Sequence, residues 1–319
     1  MRALLFAAPF LLALSARGQD VPANFPMHPL EAEKRMQYDA FEIVEAKRTE
    51  SGVAGAQKMK LRFADGTEMK VKWKSAPTYT AEGWNNVPRK EVAAYVIQKW
   101  FLDPAEFVVP PTVTRCIPLE VFRKVEPDAG PTRVGGDCVF GAFSQWLESV
   151  KPVDRVVDLE LFAADPIYAR TLADVNIVGY LIQHRDGRKS NFLVSSVPGE
   201  PRLFSVDNGI SFDVRVFNWF VRNISTIRVP ALPRASIERL RNLTFDEVMA
   251  LGILGQFERD GAGGELLFVA PDRNFDPTRG SRLVAGAFQF GLSDEEISGV
   301  WDRLGRLLRN VNEGRIELF

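Results

Sequence analysis

The chain has 319 residues, a formal net charge of −1 and 25% charged residues. That length can bury a large core, and a charge so close to zero excludes a broad polyanion-binding or membrane-binding field. Its 2 Cys and 2 His are scattered, which excludes a zinc site built from them.

Met1-Arg2 opens the chain, and an apolar run broken only by Pro9 extends from Ala3 to Leu14. Small residues follow at Ser15 to Gly18. Such a run is too short to span a bilayer and suits the apolar region of a cleavable signal peptide over residues 1–18. No later window is long and apolar enough for a stable membrane span. The mature chain is therefore expected to be secreted or periplasmic. In an oxidising compartment Cys116 and Cys138 form one disulfide or stay as two buried thiols, and the bridge is preferred.

Residues 19–40 are Pro-rich and polar and read as an extended lead-in. From Phe41 the pattern is β. Met59, Leu61 and Phe63 alternate with Lys58, Lys60 and Arg62. Asp65-Gly66 marks a hairpin, and Met69, Val71 and Trp73 alternate with Lys70, Lys72 and Lys74 on the return strand. Each strand so carries one apolar and one basic face. Pro88 opens a helix through Val92, Tyr95, Val96 and Trp100 at near-3.6 spacing. Strands are expected around 112–122 and 137–143. From Gln145 the pattern turns mostly helical. A helix over Tyr168 to Ile182 carries Leu172, Val175 and Val178 on one stripe. Phe192 to Val194 and Leu203 to Val206 form a small hairpin. Capping boxes at Thr244-Phe245-Asp246-Glu247 and Ser293-Asp294-Glu295-Glu296 open late helices. The order predicts an α+β fold of two lobes, a β-rich one over 41–143 and a helical one over 144–319.

The chemistry-bearing stretch is His184-Arg-Asp-Gly-Arg-Lys-Ser-Asn191 followed by Ser205-Val-Asp-Asn-Gly209. Phosphoryl transfer needs a carboxylate to orient the acceptor hydroxyl, and an amide plus a second carboxylate to hold divalent ions on the phosphates. Asp186, Asn191 and Asp207 supply those groups on a loop and the strand behind it.

The pieces V-K-W-K (71–74), P-R-K-E-V-A-A-Y (88–95), V-P-P-T-V (109–113), H-R-D-G-R-K-S-N (184–191) and S-V-D-N-G-I-S-F (205–212) occur in this order. On them the chain resembles the atypical kinase superfamily that includes phosphatidylinositol 3/4-kinases, HipA-like kinases and the secretory-pathway Golgi casein kinase. The resemblance implies a bilobal protein-kinase-like fold that uses ATP with Mg²⁺ or Mn²⁺ to phosphorylate a hydroxyl on a protein, glycan or small molecule. It implies Asp186 as catalytic residue, with Asn191 and Asp207 as metal ligands. Lys72, in preference to Lys74, becomes the phosphate-gripping lysine and Glu91 its helix-borne partner. Gly52 and Gly55 fall where a phosphate-covering loop would lie, although the spacing departs from G-x-G-x-x-G. His184 is expected to be structural. Arg188 and Lys189 are loop cations within reach of a phosphate or an acidic acceptor.

The alternative is a catalytically inactive kinase fold serving as a binding or scaffold protein. A third reading makes the lysine faces of the hairpin a polyanion site. The near-neutral chain disfavours it, and no nucleic-acid partner is expected.

Overall fold

The computed structural model describes residues 21–49, 56–77, 87–133, 136–212, 224–261, 266–271 and 273–319. The expected signal peptide, Gly52 and Gly55 lie outside the described residues.

Among the described residues the first elements are helix α1 (Pro29–Tyr38) and strands β1 (Phe41–Arg48), β2 (Gln57–Phe63) and β3 (Glu68–Ser75). Helix α2 (Pro88–Gln98), strand β4 (Thr112–Pro118), the short helix α3 (Leu119–Phe122) and strand β5 (Cys138–Gln145) follow. The five strands form one antiparallel sheet in the order β1-β2-β3-β5-β4. Period-two alternation holds on β2 and β3: Met59, Leu61, Phe63, Met69, Val71 and Trp73 are buried together. At the β2–β3 turn Gly66 takes φ +83°, a left-handed value that costs glycine little.

Two expectations are corrected here. Part of the lead-in is helical, because the His28 ring accepts from the Leu30 N–H, Pro29 occupies the first turn, and Ala32 and Met36 share one buried face against the sheet. The strand expected through Phe122 stops at Pro118, and α3 lays Phe122 on the same apolar face.

Next come strand β6 (Val150–Pro152), helices α4 (Leu159–Ala164) and α5 (Pro166–Leu181), and strands β7 (Phe192–Ser195) and β8 (Leu203–Ser205). β6, β7 and β8 form a small antiparallel sheet. Asp165 caps α5, accepting from the N–H groups of Ile167 (2.8 Å) and Tyr168 (2.9 Å). The single stripe expected on this helix is too narrow a description. Tyr168, Leu172, Val175, Ile177, Val178 and Leu181 are all buried, so α5 is enclosed on nearly every side by the largest core.

The remainder holds strand β9 (Ala231–Leu232), helices α6 (Arg234–Arg241) and α7 (Phe245–Met249), strands β10 (Gly255–Arg259), β11 (Leu266–Val269), β12 (Ser281–Val284) and β13 (Ala287–Phe290), helix α8 (Asp294–Asn312) and strand β14 (Glu317–Leu318). Both capping boxes are present, at α7 and α8. A four-stranded antiparallel sheet, β11-β10-β13-β12, corrects the mostly helical expectation for this half. Its strands are only four or five residues long, so each carries little periodic signal. Phe257, Phe288 and Phe290 from this sheet surround Phe140 of β5, with ring centroids 5.9, 4.9 and 5.4 Å from it. Cys116 and Cys138, which are bridged, lie in the same cluster. The fold is α+β, and among the described residues no helix is long and apolar enough to cross a membrane.

Candidate functional site

The apolar face of the five-stranded sheet is covered by α1 and α3, so the lysine face is left to look toward the second half of the chain. Lys74 breaks the pattern of exposed lysines and is buried. Its ammonium lies 3.0 Å from Glu91 Oε1 on α2 and 2.6 Å from Asp207 Oδ1. A buried ammonium needs charged partners, and Lys74 has two. Burial opposes its charge, but the two carboxylates outweigh burial and raise its pKa. Lys72, one pleat back, donates to Asp207 Oδ2 at 3.3 Å.

The partner of Glu91 is therefore Lys74, where the sequence reading preferred Lys72. Strand periodicity puts Lys70, Lys72 and Lys74 on one face, but only the packing of α2 decides which row lies beneath Glu91.

Asp207 follows β8 and has φ +62°, a left-handed value that a short polar side chain tolerates better than most. Loss of solvent on its buried side pushes this carboxyl up. The Lys74 and Lys72 ammonium groups overcome that and hold it well below the usual carboxylate range. The neighbouring Asn208 N–H donates to Glu91 Oε2 at 2.7 Å. Asn208 Oδ1 accepts from Ser205 Oγ, and its carbonyl accepts from Ser211 Oγ. Glu91 so ties β3, α2 and the segment after β8 into one network. Ser205, Asn208 and Ser211 lie within the motif at 205–212, but the sequence reading gave a role to Asp207 alone.

Asp186 and Asn191 arrive from the loop after α5. Backbone bonds zip this loop to the segment carrying Asp207: Arg185 N–H to Ile210 O (3.1 Å), Phe212 N–H to Ile182 O (2.6 Å) and Val206 N–H to Asn191 O (2.9 Å). The zipper is why residues so far apart in sequence share one region. Both carboxylates act on His184 and on Arg188. Asn191 Nδ2 donates to the Asp186 carbonyl at 2.9 Å. The amide oxygen accepts from Ser190 Oγ at 3.4 Å. The Asp186 side chain is buried and held by a forked contact: Arg188 Nε to Oδ1 (2.8 Å) and Arg188 Nη2 to Oδ2 (2.5 Å).

His184 is fully buried against Phe192, and its Nδ1 accepts from the Asp186 N–H at 3.2 Å. Burial depresses its pKa to about 4, so the ring is neutral and shapes the loop.

Three cations (Lys72, Lys74, Arg188) thus face three carboxylates (Glu91, Asp207, Asp186). Among the described residues there is no cluster of three His, Cys, Asp or Glu side chains suited to a metal. The Asn191 amide oxygen and the Asp207 carboxylate are hard oxygen donors. Hard divalent ions take oxygen donors of this kind, and here both Asp207 oxygens are engaged by Lys74 and Lys72.

Two other hairpin lysines are paired with carboxylates: Lys60 with Glu68, and Lys70, whose Nζ lies 2.9 Å from Glu148. Lys58 keeps its charge and sits 4.2 Å from the Trp146 ring. These pairs leave little net field for a polyanion.

No protein-family model matches this chain, and no curated protein sequence matches it.

Proposed function

We propose that this chain is a secreted, ATP- and divalent-metal-dependent phosphotransferase that phosphorylates a hydroxyl acceptor, with a bilobal kinase-like arrangement of its two halves. One observation carries the reading: the Lys74 ammonium is held between Glu91 on a helix and Asp207 on a separate segment, beside a loop that presents Asp186 and Asn191. Buried pairs of this kind are costly to assemble for stability alone.

In this reading Asp186 orients the acceptor and takes its hydroxyl proton. Lys74, steered by Glu91, grips the phosphates of ATP. Asn191 and Asp207 hold Mg²⁺ or Mn²⁺, which when bound neutralises phosphate charge. Lys72 stays near Asp207 as a second cation. Arg188 pre-orients Asp186 and swings toward the transferring phosphate or an acidic acceptor. The Cys116–Cys138 bridge agrees with the secreted or periplasmic location, since such bonds persist in oxidising compartments.

Purified mature protein with labelled ATP and Mn²⁺ or Mg²⁺ tests the reading. Autophosphorylation or ATP turnover is expected, and Asp186→Ala should abolish it. No turnover in the wild type, or equal turnover in the variant, overturns it.

The forked hold of Arg188 on Asp186 favours a second reading, a catalytically inactive nucleotide-binding scaffold, because both oxygens of the carboxylate are occupied. Under the catalytic reading Arg188→Ala should change turnover by about tenfold or more with unfolding free energy altered by at most about 1 kcal/mol, Arg188 being half-exposed. A scaffold would show a nucleotide-dependent rise in thermal midpoint and no turnover in either form.

A further inference from the structure

The first turn of α2 reads Arg89-Lys90-Glu91, and all three side chains are buried. Three successive buried charges are unusual and each must find a partner. Glu91 serves the site described above. Arg89 and Lys90 turn to the C-terminal part of the chain. Arg89 donates from Nη1 and Nη2 to the two oxygens of Glu296 (2.5 and 3.1 Å) and from Nη1 to Gly291 O (3.2 Å). Lys90 donates to Ser211 O at 2.9 Å and pairs with Glu296 Oε1 at 3.2 Å.

Glu296 is itself anchored. It is the third residue of α8 and closes its capping box, its Oε2 accepting from the Ser293 N–H at 2.9 Å. The guanidinium also lies against Gly280, where any β-carbon would overlap it. Gly280 is fixed in turn, its carbonyl accepting from the Gly291 N–H at 2.9 Å. The end of the four-stranded sheet and the start of α8 therefore build a socket for one α2 side chain. Lys90 meanwhile holds the Ser211 carbonyl, in the same segment as Asp207 and Asn208.

We propose that Glu296 is a positioning residue: through Arg89 and Lys90 it sets α2 so that Glu91 meets both Lys74 and the Asn208 N–H. The inference rests on the phosphotransferase reading for its consequence, and the coupling itself is measurable without it. The sheet-and-helix unit after residue 255 is then a brace for the phosphate-binding end of the site. Its contact with α2 is a place where a change in the C-terminal part alters ATP affinity.

The test compares wild type, Glu296→Gln, Arg89→Lys and, as a control at the far end of α8, Val311→Ala, all in the full mature chain. Hydrogen–deuterium exchange of residues 88–98 and 203–212 is followed together with KM for ATP and kcat. Glu296→Gln and Arg89→Lys should each speed exchange in both segments and raise KM by about tenfold, while kcat per folded molecule changes less. Val311→Ala should lower the thermal midpoint and leave those segments and KM unchanged. Arg89→Lys keeps the charge and loses the fork, so it decides the matter if Glu296→Gln does not fold. Wild-type exchange in both segments for Glu296→Gln or Arg89→Lys overturns the proposal, as does equal loosening in Val311→Ala. A wild type without ATP turnover would sink the phosphotransferase reading alone, and the exchange data would still decide the coupling.

Discussion

Lys74 Nζ lies 2.6 Å from Asp207 Oδ1, although 133 residues separate the two along the chain. The same ammonium reaches Glu91 at 3.0 Å. One buried cation thereby joins the five-stranded sheet, the helix behind it and the segment that follows β8. Arg89 and Lys90, the two residues before Glu91, join that helix to α8.

Lys74 and Lys72 should respond very differently to removal. Lys74→Met leaves the Glu91 and Asp207 carboxylates facing each other without their shared cation. Loss of about 3 kcal/mol of unfolding free energy is expected, with ATP turnover down about a hundredfold or more. The Lys72 side chain is a quarter exposed, and its ammonium pairs with Asp207 at 3.3 Å. Lys72→Met should cost about 1 kcal/mol or less. Denaturant titration and turnover assays on both variants check this, and a larger loss for Lys72→Met would reverse the assignment.

Gly141 on β5 offers a purely steric test beside the same lysine. A β-carbon there would lie 2.5 Å from the Trp73 ring and 2.6 Å from the Lys74 carbonyl. Trp73 is enclosed by Phe143 and Phe122, and the carbonyl is backbone, so neither can move cheaply. Gly141→Ala should destabilise by about 1–3 kcal/mol, readable as a lower urea midpoint with unchanged slope. A neutral effect would show that the sheet can shift at this point.

Asp174, inside α5, gives a pH signature of definite sign. Burial raises its carboxyl to about 7, although Arg170 and the Ser236 hydroxyl pull it down and Glu106 adds to the rise. Unfolded, such a carboxyl titrates near 3.9. Between these values the folded chain binds more protons than the unfolded one. This residue's contribution to stability therefore falls as pH rises from about 4 to about 7. Asp174→Asn keeps an acceptor for Arg170 Nε and offers a donor to Ser236 Oγ, and it removes the titration. Its stability should decline less than that of wild type over this window, as measured by chemical denaturation at several pH values. Parallel pH curves for the two proteins would contradict the assignment.

Local pattern carried much of the architecture. Alternation around Asp65-Gly66 foretold β2 and β3, and Pro88 foretold the start of α2. Thr244 with Glu247 and Ser293 with Glu296 foretold α7 and α8. These signals reach only a few residues, and so do the forces behind them. Helix α1 was missed because ten residues with two buried apolar side chains, Ala32 and Met36, make a faint stripe. The four-stranded sheet was missed because its strands are very short. Its one clear mark, Ala285-Gly286 at positive φ between β12 and β13, is a two-residue turn.

From its order of residues alone, this chain was legible as an α+β protein with a candidate loop at 184–191 and a candidate carboxylate at Asp207. The order could not say that Lys74 rather than Lys72 meets Glu91, that Arg188 grips Asp186, or that Glu296 grips Arg89. A strand's two-residue period assigns side chains to a face. Which of them lies under a given helix turn depends on where that helix is packed, and the distant halves of the chain decide that only when they come together.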